Sequence, residues 1–454
     1  MELPSNVLYL VNQISGYSKN TVRLQTLNTQ EIGPLSGASQ LRLSLPVNSI
    51  VNMQSLSMVS TFQAKGVADS TGSRKDTVYA LCPKGGLHAL IDRLSFSAGG
   101  IALDNGTTPY NLIHEVKTNT ETTINKQMSD NRVLNNADIN PFDATNATAW
   151  ETANHGQEKT LILNNFHGFT DCAPAYLDLN LLPEIYMTLQ TTDSSILPVQ
   201  FEGATLGNGA VVANPNFNGT QCGWKLSNIY FTIEVVSFAS GMLDAMNERL
   251  MNEKGSLDIV YPQYQMFSTD LSGSGGTIRG SVSTMSLDRV YAFARNSATV
   301  ANGAPYEPYF TQQQPVKCED NTSFAFQNAA TNFISDGLTQ WSFKINNAPV
   351  PLYKPTPLEA YNYIVNGNSR SYMKSKGSLI GSQKTWLNNC WTAMVNLCHS
   401  DDMTLISGLD LRSINSQIAF EGTGATGSAR QLFMMTQQSS IARVAGGRAV
   451  AVVA

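Results

Sequence analysis

The stretch Trp224–Phe238 reads WKLSNIYFTIEVVSF. Ile229, Phe231, Ile233 and Val235 recur at every second position, one face of a β-strand. Tyr230, Thr232, Val236 and Phe238 make the other face bulky as well, which predicts an interior strand covered on both sides. The period then changes. In GMLDAMNERLMNEKG, Met242, Met246 and Leu250 return every fourth residue with Leu243 beside them, while Asp244, Glu248, Arg249 and Glu253 point elsewhere. That pattern predicts a short amphipathic helix, and Gly255 is placed to end it. SLDIVYPQYQMF resumes the strand pattern. Strand, helix and strand thus meet near the middle of the chain, as expected of a junction between two similar β domains.

The flanking sequence follows the same grammar. Leu41, Leu43 and Leu45 alternate with polar residues, and Leu56, Met58 and Phe62 continue the pattern. LHALIDRLSFSAGGIAL predicts a strand ending in a Gly-Gly turn. Thr108-Pro109 then opens a helix, Thr as N-cap and Pro at the first helical position. Ile185, Met187 and Leu189 face opposite to Tyr186, Thr188 and Gln190. In the second half, MSLDRVYAFAR, QWSFKINNAPVP, SQIAFEG, QLFMMTQ and ARVAGGRAVAVVA read as strands and turns. Thr356-Pro357-Leu358-Glu359 is a capping box that opens EAYNYIVNG. Long polar segments run over Lys117–Lys159, Gly203–Gly219 and Asn296–Ala330.

The two halves echo each other. Ser55–Phe62 lies over Ser286–Phe293. Ser95-Phe96, a turn and Thr108-Pro109 lie over Ser342-Phe343, a turn and Thr356-Pro357. Ordered matches in the same strand-turn-helix context indicate an internal duplication. Many short strands with long loops and few helices mean sandwiches. The expected fold is therefore all-β: two tandem eight-stranded jelly-roll β-sandwiches joined by a short helix. The expected limits are an extended arm over 1–35, a first roll over 36–240, a linker helix over 241–255 and a second roll over 256–454.

Composition narrows the function. Only 14% of the 454 residues are charged, against ~25% in an average domain. Asn, Thr, Ser, Gln and Gly take their place, a surface suited to being covered by neighbours and common in secreted β proteins as well. The net charge is −5 and no basic run occurs, so the footprint of direct nucleic-acid binding is missing. The N-terminal stretch has no basic n-region or cleavage site, which predicts no signal peptide. No apolar run approaches the ~18 residues of a membrane span. Six scattered cysteines lack the density and spacing of a disulfide framework or a zinc site.

Candidate chemistry is sparse. His155-Gly-Gln-Glu158 sits in a polar loop without a second ligand pair. His114 and Glu115 are neighbours on a helix and diverge in direction. Cys390, Cys398, His399, Asp401 and Asp402 are the densest set of ligand types, but the apolar WTAMVNL between them reads as a core element. The glycines of Ser272–Gly276 lack the Lys and helix of a phosphate loop. The expectation is a protein that is not an enzyme, with no catalytic, metal or cofactor site. The structural residues singled out are Met242, Leu243, Met246, Leu250 and Gly255 of the linker helix.

LPVNSIVNMQSLSMVSTF, LIDRLSFSAGGIAL with TPYNLI, LPEIYMTL, LSNIYFTIEVVSFASGM and INNAPVPLYKPTPLEAYNY together resemble the major capsid proteins of the double jelly-roll lineage. The closest resemblance is to those of polinton-like viruses and virophages, from about residue 40 onward. The resemblance implies a homotrimer forming a pseudo-hexagonal capsomer. Capsomers would tile an icosahedral shell around double-stranded DNA, with penton and minor capsid proteins as further partners and the virion as the location. The arm has only Lys19 and Arg23 against Glu2 and Glu31, so it is expected to meet proteins rather than DNA. The alternatives are a β-sandwich receptor- or carbohydrate-binding protein, which would want an exposed aromatic cluster that the five dispersed Trp do not form, and a β-sandwich hydrolase.

Overall fold

The structure, a computed structural model, describes residues 17–33, 36–65, 78–79, 86–121, 158–191, 199–200, 223–238, 248–249, 251–253, 255–271, 275–296, 316–317, 324–325, 333, 335, 338–367, 386–387, 391–399, 406–412, 416–424, 430–445 and 448–453. Sixteen of its strands fall into two sets of eight. The first set is β1 (Tyr17–Gln25), β2 (Gln40–Ser44), β3 (Ile50–Lys65), β4 (Ile91–Ala98), β5 (Ile101–Asp104), β6 (Glu158–Leu163), β7 (Ile185–Thr191) and β8 (Gly223–Phe238). The second is β9 (Ser256–Leu271), β10 (Gly275–Ser281), β11 (Leu287–Asn296), β12 (Leu338–Ile345), β13 (Ala348–Val350), β14 (Thr392–Asn396), β15 (Gln417–Gly424) and β16 (Arg430–Ala445).

The first set forms sheets of order β1-β8-β3-β6 and β2-β7-β4-β5. The second forms β9-β16-β11-β14 and β10-β15-β12-β13. Each strand of one set holds the place of the strand eight later, and every pairing is antiparallel. First and last strands are neighbours in each set, the jelly-roll connection. Tyr176–Asp178 adds to β3, and Ala449–Val453 adds to β16.

Alternation fills each sandwich. Leu41, Leu43, Leu94, Phe96, Met187 and Leu189 from one sheet meet Val51, Met58, Leu161, Leu163, Phe231 and Ile233 from the other, all buried. Ile278, Trp341, Phe343, Ile418 and Phe420 help to form the second core. Burying one such side chain stabilises by about 1.5–3 kcal/mol.

Turn chemistry repeats as well. β4 and β5 are joined by Gly99-Gly100, and β12 and β13 by Asn346-Asn347. All four have positive φ, as a two-residue type I′ hairpin demands. Each hairpin leads to a helix after Thr-Pro: α1 (Tyr110–Glu121) and α2 (Pro357–Gly367). The capping box at α2 forms. Thr356 N donates to Glu359 Oε2 at 2.7 Å, and Glu359 N donates to Thr356 Oγ1 at 3.4 Å. The Thr356 donors hold the Glu359 carboxyl below its ordinary value. Pro262 sits within β9, which is tolerated because β9 is an edge strand.

The structure departs from the expected arm. Within 1–35, Tyr17–Gln25 is not a free extension but strand β1, paired with β8 from Tyr17–Phe238 to Gln25–Tyr230. Its cations hold it down: Lys19 Nζ lies 2.6 Å from Glu234 Oε2, and the Arg23 guanidinium lies 3.6 Å from the Tyr230 ring centroid. β8 is interior in its sheet, yet Tyr230 and Thr232 on its second face are only half-buried.

Candidate functional site at the seam between the rolls

The chemistry of the chain concentrates where the two rolls meet. α1 follows β5 of the first roll. Tyr110 and His114, one turn apart, face the first roll. Leu112, Ile113 and Val116 are buried in the core of the second roll. An amphipathic helix normally has one apolar face; this helix is buried along nearly its whole length because it serves two cores.

β9 and β16 cross in the opposite direction. Their distal halves belong to the second core through Tyr264 and Leu432–Met435. Their other halves reach the first core through Ile259, Tyr261, Ala442 and Val444, joined by Val450. Two strands of 16 residues each span both sandwiches at 3.2–3.4 Å per residue.

Polar bonds pin the seam. Tyr261 OH donates to Leu103 O at 2.7 Å, and Thr108 Oγ1 donates to Tyr264 O at 3.0 Å. The Thr108 hydroxyl, expected to cap α1, thus reaches the other roll. Lys117 Nζ donates to Gln437 Oε1 at 3.0 Å. Ala173 and Val260 exchange backbone bonds of 2.8 and 3.0 Å. The Phe169 and Tyr261 rings meet edge-on at 5.2 Å. In the second roll, Asp288 accepts from Ser286 and Ser439, both at 2.7 Å, and burial raises its carboxyl above the ordinary value.

Behind α1, three of the five histidines converge. The His88 and His114 rings stack with centroids 3.7 Å apart. His114 Nδ1 lies 3.2 Å from His167 Nε2, His88 Nδ1 lies 3.1 Å from Tyr110 OH, and His167 Nδ1 lies 3.4 Å from Asp171 Oδ2. Burial pushes the Tyr110 hydroxyl well above its usual range. The face-to-face stack suits packing, not chelation. Among the described residues no three His, Cys, Asp or Glu side chains are grouped to hold a metal ion.

The residues singled out in the sequence fall elsewhere. Met242, Leu243, Met246 and Leu250 lie outside the described residues. Residues 248–249 and 251–253 are helical, Arg249 and Glu253 pair at 2.7 Å, and Gly255, with φ 75°, donates from its N to Met251 O at 2.8 Å as an αL cap. Of the expected ligand types, His155, Cys390, Asp401 and Asp402 also lie outside the described residues. Cys398 donates to Asn396 Oδ1, and His399 is exposed. His114 is gathered with His88, His167 and Thr118. The sequence offers one signal for α1 as a seam element, a helix with apolar residues on more than one side.

No family model and no curated protein matches the sequence. Solved structures do match it. Over 98% of this chain and 99% of the other, it is similar to the capsid protein in the PBCV-1 virus capsid, with 10% identity and a TM-score of 0.61. Over 96% and 92% it is similar to the Faustovirus major capsid protein, with 11% identity and a TM-score of 0.57. Over 100% and 91% it is similar to a chain of the Sputnik virophage, with 10% identity and a TM-score of 0.56. The shared property is the fold: two tandem jelly rolls over essentially the full length.

Proposed function

We propose that this chain is a major capsid protein. Three copies form a pseudo-hexagonal capsomer, and capsomers tile an icosahedral shell around a double-stranded DNA genome, with penton and minor capsid proteins as further partners. The observation that carries this reading is the pair of topologically identical rolls locked by a buried seam, over the whole length shared with viral capsid folds. A seam that fixes two rolls as one body makes the chain a rigid tile.

The rest of the molecule fits a structural role. Low charge allows wide contacts without stranding ions out of water. Lys19 is paired with Glu234 and Arg23 is stacked on Tyr230, so β1 turns its cations to its own sheet and not to a genome. The protein acts without catalysis or cofactor. Met242, Leu243, Met246, Leu250 and Gly255 keep their sequence-based reading as the spacer between the rolls.

Light scattering after size exclusion, with negative-stain microscopy, tests the reading. Trimers of hexagonal outline are expected. A monodisperse monomer that binds glycans and builds no shells would overturn it.

A further inference from the structure

Three histidines stand where α1 meets the first roll: His114 on the helix, His88 in the Gly86–Leu90 turn before β4, and His167 in the segment after β6. Two of them are links in one chain of hydrogen bonds. Thr118 Oγ1 lies 3.2 Å from His114 Nε2, His114 Nδ1 lies 3.2 Å from His167 Nε2, and His167 Nδ1 lies 3.4 Å from Asp171 Oδ2. The direction of the chain is set at its acidic end. An ionised carboxylate only accepts, so His167 Nδ1 carries a proton. With both rings neutral, His167 Nε2 accepts from His114 Nδ1–H, and His114 Nε2 accepts from the Thr118 hydroxyl. The network thus assigns each ring one tautomer, and every contact holds one proton.

One extra proton fits this chain and a second does not. The first goes to His167 Nε2, and His114 Nδ1 accepts it. His114 moves its own proton to Nε2, and Thr118 turns from donor to acceptor. Asp171 balances the charge. A second proton leaves N–H groups on both sides of the 3.2 Å contact and sets two cations against each other. His88 adds to the crowding, with its ring 3.7 Å from that of His114 and 11° from parallel. Tyr110 OH accepts from His167 N–H at 3.3 Å, so the phenol proton is left for His88 Nδ1, 3.1 Å away.

Among the described residues, few charged groups surround the three rings. On α1, Glu115 is buried and Lys117 reaches Gln437 of the second roll. On β4, Asp92 and Arg93 pair with each other. Lys65, Glu158 and Lys159 stand at the end of β3 and β6 away from His167. Asp104, which ends β5, has its Oδ2 2.6 Å from where a Cβ on Gly168 would stand. Burial keeps the Cys172 thiol neutral. Tyr261 and Tyr264 of β9 are phenols, uncharged near neutral pH, and β14 brings no ionisable residue.

We infer that the His114–His167 contact is a proton-gated latch: it holds α1 on the first roll with one excess proton and releases the helix when both rings are charged. His114 and His167 are only half-buried, so solvent protons reach them while the rest of α1 stays covered. Because α1 also fills the second core, release at this end loosens the grip between the rolls. The latch works within one chain and does not depend on how chains assemble. The open form binds two protons where the closed form binds one. The closed form therefore loses stability as pH falls through the ordinary imidazole range, about 6.5. The buried Asp104 carboxyl acts in the opposite sense, so the latch is read as a difference between variants.

Hydrogen exchange of Tyr110–Glu121 in the full chain, corrected for the intrinsic pH dependence of amide exchange, tests the latch. His167→Gln keeps a donor for Asp171 and an acceptor for His114 but takes no charge. Between pH 6.5 and 5, opening of this segment should rise at least roughly tenfold more in the unaltered protein than in His167→Gln. His114→Gln removes the same pair from the other side and should behave as His167→Gln does, which keeps the test in force if one of the two variants fails to fold. His399→Gln, at an exposed histidine outside the cluster, should follow the unaltered protein. If His167→Gln and His114→Gln open with falling pH as the unaltered protein does, the acid response lies elsewhere and the inference is wrong. It is equally wrong if His399→Gln alone removes the response.

Discussion

Lys117, on the helix of the first roll, donates to Oε1 of Gln437 in the last strand of the second roll, and Tyr291 OH donates to the same oxygen at 3.2 Å. One glutamine thus gathers donors from both rolls. The Lys117 ammonium also lies 5.9 Å from the Tyr264 ring centroid. A buried ammonium needs such partners to repay its lost hydration.

The pair should therefore be energetically coupled. In a double-mutant cycle of Lys117→Met and Gln437→Ala, urea unfolding should return a coupling energy of roughly 1 kcal/mol. A coupling indistinguishable from zero would mean that the bond is incidental to the seam.

Ile113 carries the apolar part of the same contact. It belongs by sequence to the first roll and by burial to the second core. Ile113→Ala should cost about 2–4 kcal/mol, as for other large core side chains cut to alanine. Hydrogen exchange should show the loss on β11 and β16, in the other half of the chain. A loss confined to the first roll would contradict the placement of α1.

Much of this architecture is legible in the sequence, because a two-residue period and turn chemistry are local. The echo of Ser55–Phe62 with Ser286–Phe293 falls on the equivalent strands β3 and β11, and that of Ser95-Phe96 with Ser342-Phe343 on β4 and β12. The two helices after Thr-Pro are equivalent too. The first echo, however, is one residue out of phase. Met58 faces the core, and Val290 holds the matching inward position on β11, whereas the alignment sets Met58 over Arg289. A single-residue slip exchanges the two faces of a strand, and similarity of composition cannot sense it.

The seam is not written in any one stretch of sequence. Its components come from residues around 110, 170, 260 and 435, and no local pattern joins them. β1 is hidden for a related reason: YSKNTVRLQ has too few apolar residues to read as a strand, and its place comes from pairing with β8. The His88–His114–His167 cluster unites three distant segments in the same way. What the sequence does display is a helix apolar on more than one side, and α1 does serve two cores.

Asp104 gives the seam a pH dependence. It ends β5, beside the junction, and burial raises its carboxyl from 3.8 to about 6, with the Gly106 N–H donating to it in partial compensation. The folded protein therefore holds this proton more tightly than the unfolded chain does. The associated stability is fully present below about pH 4 and is lost as pH rises through about 6. Asp104→Asn should raise stability at pH 7.5 by about 1–2 kcal/mol, allowing for partial solvation of the side chain. The difference from the unaltered protein should shrink toward pH 4. A difference that stays constant from pH 4 to 8 would show that ionisation of Asp104 is not its source.

Gly106 shapes the path from β5 into α1. Its φ is 58°, and a Cβ there would lie 2.8 Å from the Leu94 carbonyl oxygen and 3.2 Å from Ser95 Cβ. Two costs combine in Gly106→Ala: the left-handed backbone, about 1–2 kcal/mol, and the collision with a strand that cannot yield, about 1–3 kcal/mol. Gly100, in the β4–β5 turn, separates them. It has φ 86° and open space where the Cβ would stand, so Gly100→Ala should cost only the backbone part. Denaturant unfolding of both variants should place Gly106→Ala about 1–3 kcal/mol below Gly100→Ala. Only Gly106→Ala should also weaken the protection of α1 against hydrogen exchange, because only that residue sets how the helix enters the seam. Equal losses at the two positions would mean that backbone strain is the whole cost and that the approach to Leu94 leaves α1 where it is.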